Sequence, residues 1–117
     1  MVASADALAS FEDKWSLAHP ELPLALRFVQ AQARPVVSAL ACLSFEVGLV
    51  AFNVVESGVA ASKLQWWAEE LALLASGKVR HPLTRALAES KALQALSPDT
   101  WQAWIGAAFA QREALPA

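Results

Sequence analysis

Apolar residues recur at steps of three and four along nearly the whole chain, and proline and glycine fall between the periodic segments. That repeat is one face of a helix, whereas a half-buried strand alternates at every second residue. The pattern predicts an all-α protein, an antiparallel bundle of about six helices. The first runs from about Ala3 to Leu17 with Leu8, Phe11 and Trp15 on one face, and stops before His19-Pro20. The second runs from about Leu22 to Gln32, with Pro23 in the first turn, where its missing N–H removes no hydrogen bond. Arg34-Pro35 then breaks the chain.

The third helix, about Pro35 to Val55, carries the clearest seam: Val36, Val37, Leu40, Leu43, Val47, Val50 and Val54. Its many valines favour a strand by propensity, but the period is helical and outweighs them. Ser57-Gly58 reads as a turn. A fourth helix follows from about Ala60 to Ser76, with Leu64, Trp67, Leu71 and Leu74 inward and Gly77 as its C-terminal cap. The fifth, about Leu83 to Leu96, opens after His81-Pro82, and its Leu83, Leu87 and Ala86 face inward. Ser97-Pro98-Asp99 combines a capping hydroxyl, a first-turn proline and a first-turn acid. It starts a sixth helix that carries Trp101, Trp104, Ile105 and Phe109 and fades at Leu115-Pro116-Ala117.

At 117 residues the chain is read as one helical domain, 1–117, or as the N-terminal part of a larger one. Apolar types reach 56% and charged types only 17%, so more apolar surface than usual must be tolerated or covered by a partner. With 9 basic and 11 acidic residues there is no broad positive field for a phosphate backbone, which argues against nucleic acid as a partner. Cys42 is the only cysteine, so no intrachain disulfide can form; its apolar surroundings mark it as buried filler. The N-terminus lacks the basic start and unbroken apolar run of a signal peptide, and a cytoplasmic location is expected. The apolar run 39–55 is shorter than the roughly 20 residues of a span and holds Glu46 at its centre. It is expected to be a core helix and not an integral membrane segment.

Three groups of residues could carry chemistry. Glu46, Asn53 and Glu56 step along one side of the third helix, and carboxylates one or two turns apart can hold Mg²⁺. Glu46 could instead pair with an arginine at the bundle surface, or lie between seam and solvent. Lys63, Trp66 and Glu70 follow the face beside the fourth helix's seam, with Glu70 expected to turn towards the third helix; paired aromatics there serve packing first. Lys78, Arg80, His81 and Arg85, joined by Arg34, form a basic group that could receive a phosphate or satisfy helix ends, and His81 could cap the fifth helix. No glycine-rich phosphate loop, CxxC pair, HExxH or GxSxG motif occurs.

The run Ser62-Lys-Leu-Gln-Trp-Trp-Ala-Glu-Glu-Leu71, followed by Gly77 and Arg80-His-Pro-Leu-Thr-Arg-Ala-Leu87, resembles the segment after the first acidic helix of squalene and phytoene synthase-like proteins. Asp13-Lys-Trp15, His19-Pro-Glu21 and Gln32-Ala-Arg-Pro35 resemble the entry of the bacterial branch, so the likeness spans about Asp13 to Leu87. It implies an all-α isoprenoid-synthase fold, of which this chain would be the N-terminal portion. In that family Mg²⁺ on two aspartate-rich motifs draws the diphosphate from a prenyl substrate, and an apolar cavity shelters the carbocation.

Transferred to this chain, the resemblance implies Glu46 and Glu56 as metal ligands. Arg34, Lys63 and Arg80 would receive a diphosphate, and Phe45, Phe52 and Trp66 would line the apolar channel. No catalytic residue is assigned. The first motif here has glutamates and Asn53 where the family has aspartates, and the second would fall beyond Ala117. The expectation is therefore a degenerate or incomplete relative, related to isoprenoid metabolism, whose Mg²⁺-dependent prenyl transfer would need a second chain. The alternative is a non-catalytic helical domain that binds an apolar lipid or a protein partner, including a second copy of itself.

Overall fold

The computed structural model describes the backbone of residues 2–115 and the side chains of residues 6–115. The chain is all-helical there, with no strand among the described residues: α1 Val2–Ala18, α2 Glu21–Leu26, α3 Arg34–Asn53, α4 Ser57–Ala72, α5 Pro82–Leu87, α6 Lys91–Gln94 and α7 Pro98–Ala114. A 3₁₀ turn, Leu74–Ser76, follows α4. Pro116 and Ala117, part of the expected fade of the last helix, lie outside the described residues.

α3 is the axis of the fold, and α1, α2, α4, α5 and α7 all pack against it. By length and composition alone it could cross a membrane. In this fold its Ala39, Cys42, Leu43, Val47 and Val50 are buried against the other helices. Leu64 and Leu71 of α4, Leu74 after it, and Leu83 and Leu87 of α5 are enclosed with them. Each such leucine contributes about 1.5–3 kcal/mol of transfer free energy. The seam of α3 is narrower than the periodicity suggests, because Val37 turns outward and is 39% exposed. Apolar surface remains in quantity: Leu17 and Phe28 are each 86% exposed and Val55 is 93% exposed.

Helix ends differ from expectation where a side chain caps or holds the backbone at a place that the hydrophobic pattern does not mark. α2 stops at Leu26 and not near Gln32, and Arg34 Nε donates to the carbonyls of Leu26 and Val29, fixing the chain in turns. Arg34-Pro35 is accordingly not a break but the first turn of α3. α4 starts at Ser57, so Ser57-Gly58 is helical; the Glu56 carboxylate accepts from the N–H groups of Gly58 and Val59 and caps it. The expected fifth helix is two helices. Its register ends at Leu87, and the Ser90 hydroxyl accepts from the N–H of Leu93 to start α6. The Ser97 cap stands as expected; α4 ends at Ala72 and not near Ser76, and Gly77, at φ +73°, where a Cβ is disfavoured, caps the 3₁₀ turn that follows.

Candidate functional site

Glu70 is fully buried on α4, and its position is set by the start of α5. Its Oε2 accepts from the N–H of Arg80 at 2.7 Å, the N–H of His81 at 2.8 Å and the Thr84 hydroxyl at 2.6 Å. Burial pushes its pKa up, but these hydrogen bonds and the Arg80 charge outweigh that and hold it below the usual carboxylate range. Glu70 is thus directed at α5. Arg80 Nε stands 3.8 Å from Oε1 of the same carboxylate.

His81 caps α5 as expected, its Nδ1 accepting from the N–H of Leu83 at 3.0 Å. Phe11, Trp66 and Trp67 surround the ring, with Trp67 closest at 4.8 Å between centroids. Burial lowers its pKa, against the opposing charges of Glu46 and Glu70. The tryptophan pair and the His-Pro-Leu segment are therefore one packed unit joining α4 to α5.

Glu46 Oε2 accepts from Lys14 Nζ at 2.5 Å and from the Trp15 indole N–H at 2.7 Å, so it pairs with a lysine of α1. Glu56, the other expected metal ligand, has both oxygens on the α4 N-terminus, which lowers its pKa. The two carboxylates have separate partners and share no contact. Among the described residues no three His, Cys, Asp or Glu side chains are grouped as a metal site. Both oxygens of Glu56 and one of Glu46, the expected Mg²⁺ ligands, accept hydrogen bonds from these other groups.

The expected substrate-binding residues divide. Phe45 and Phe52 come together on the open side of α3, where two adjoining hollows of about 220 and 200 Å³ share Ser44, Gly48 and Phe52. Trp104, Ala107 and Ala108 of α7 wall one hollow. Trp15 and His19 wall the other, and the His19 ring stacks on Phe45 at 4.0 Å. Together they form a shallow trough along α3. Trp66 lies apart from it, over a hollow between α4 and α7 with Gln65, Glu69 and Phe109. Lys63 is exposed on α4, and Arg34 Nε is turned onto the carbonyls of Leu26, at the end of α2, and of Val29 beyond it.

A larger cleft, about 660 Å³ with Leu8, Gln32, Val79, Arg85 and Glu89 on its walls, takes Arg85 from the basic group but none of Arg34, Phe45, Glu46, Phe52, Glu56, Lys63, Trp66 or Arg80. Sequence reasoning missed Gly48, although its place midway between Ser44 and Phe52 at helical spacing was legible. The Lys14 and His19 pairings were not, since they join residues far apart in sequence. No protein-family model matches the chain, and neither does any curated protein or solved structure at the level that would mark a relative.

Proposed function

We propose that this chain is a squalene/phytoene synthase-like protein of isoprenoid metabolism in degenerate form, which binds a prenyl chain in the α3 trough without performing the transfer. The observation that carries the reading is the interlock of Glu70 with Arg80, His81 and Thr84. Every one of these residues belongs to the segment that carries the resemblance, and the contact gives that segment one architectural purpose. The trough supplies apolar walls from Phe45 and Phe52, both named by the same resemblance. The internal partners of Glu46 and Glu56 favour binding that needs no metal.

Calorimetry with a C15 prenyl diphosphate, with and without Mg²⁺, tests this. Equal binding in both conditions, weakened by Phe52→Ser, is the expected result. Binding that requires Mg²⁺ and is lost in Glu46→Gln would overturn the degenerate reading, and no binding in either condition would overturn the prenyl reading. A protein-interaction role is the second reading, favoured by the exposure of Leu49 and Phe52 on the same face, 39% and 52%.

A further inference from the structure

Among the described residues, no Lys, Arg, Asp or Glu lines either hollow of the α3 trough. The cations that adjoin its walls in sequence are engaged elsewhere. Lys14, next to Trp15, is held by the Glu46 carboxylate, and Arg112, next to Gln111, donates to the carbonyls of Val50, Ala51, Val54 and Val55. His19 is the one titratable wall residue, and its Nδ1 stands 3.0 Å from the carboxylate of Glu21, which repels a second anion. The free polar groups on the walls are neutral: Asn53 lines one hollow and Gln111 the other, and neither side-chain amide has a hydrogen-bond partner among the described residues. Such an amide both donates and accepts, which matches a hydroxyl.

We propose that the trough takes an uncharged prenyl alcohol in preference to a prenyl diphosphate. This rests on the prenyl reading of the same trough and adds that the apolar chain, not the head group, supplies the affinity. Phosphate oxygens are recognised by charge-assisted hydrogen bonds, and these walls hold no free cation to make them. Drawing a diphosphate against them costs hydration and returns no ion pair. A hydroxyl gives up far less hydration, and the amide of Asn53 or Gln111 can replace it. A diphosphate carried on a bound chain stays in water at the mouth of the shallow trough and adds nothing to binding.

Calorimetry of the purified chain with the C15 alcohol and with the C15 diphosphate, without Mg²⁺ and at low and high salt, reads the preference. The alcohol is expected to bind at least as tightly as the diphosphate, and high salt is expected not to weaken the diphosphate. Phe52→Ser, at an exposed position, is expected to weaken both ligands alike. A diphosphate bound about tenfold or more tightly than the alcohol, the scale of one charge-assisted hydrogen bond, would overturn this proposal and leave the prenyl reading standing. An alcohol whose binding is unchanged by Phe52→Ser would overturn it too, because its site would lie elsewhere. If neither ligand binds, the prenyl reading itself falls and this proposal with it.

Discussion

The Thr84 hydroxyl donates to Oε2 of Glu70 at 2.6 Å, fourteen residues away in sequence and fully buried. The carboxylate also takes the N–H groups of Arg80 and His81, which stand just ahead of α5 and would otherwise be left without partners. A buried acid is costly unless it is hydrogen-bonded, and here it replaces the solvent that a helix start requires. It acts as a cap supplied by a different helix.

Glu70→Ala is expected to destabilise the fold by about 3 kcal/mol, because the buried Thr84 hydroxyl and two part-buried backbone donors lose their acceptor together. Thr84→Val removes one hydrogen bond to a charged group and is expected to cost about 1.5–3 kcal/mol. Urea denaturation of both variants and of the double variant checks this. The double variant should fall well short of the sum, since both changes break one network.

His81 makes stability depend on pH. Its folded-state pKa lies below the ordinary value of about 6.5, so the unfolded chain binds the proton more readily. The stability that His81 contributes is therefore complete above about pH 6.5 and is lost as pH falls towards the folded value. Protonation of Nδ1 also removes the acceptor for the Leu83 N–H. Melting temperature against pH should decline below neutrality, and His81→Asn, which can still cap a helix, should flatten that slope. Glu70 adds a second loss at lower pH, below the ordinary carboxylate value of about 4.3, because its pKa is lowered by folding.

Cys42 is enclosed in the core, and burial, the leading cause, pushes its thiol up to about 11. Thiolate is the reactive form, so labelling with a disulfide reagent at neutral pH should be negligible in the folded chain. One equivalent should react on unfolding in urea. Rapid native-state labelling would show that α3 opens far more readily than its packing implies.

Arg112 of α7 closes the C-terminal end of α3. Its guanidinium donates to the carbonyls of Val50, Ala51, Val54 and Val55, the shortest contact being 2.6 Å to Val54. Arg112→Ala is expected to cost about 2 kcal/mol and to speed amide exchange in the last turn of α3. Arg112→Lys should recover only part of this, since one ammonium cannot span four carbonyls as the planar fork does.

The hydrophobic period by itself determined that the chain is helical, where most helices lie and which leucines are enclosed. That information is local, because a helix face repeats in sequence as it does in space. The caps at His81, Ser97 and Gly77 were legible for the same reason: each acts on a backbone group within a few residues. The shortened α2 and the placement of the acids depended on the tertiary structure. Glu46 was placed on a helix face by its spacing, but that Lys14 and Trp15 of α1 are its partners was not legible there. Glu70 acquired its role only when the chain returned through Gly77. Sequence spacing places a carboxylate on a helix face, but its partner is chosen by whichever donor packing brings within about 3 Å. The trough beside Gly48 likewise exists only because α1 and α7 rise on either side of α3.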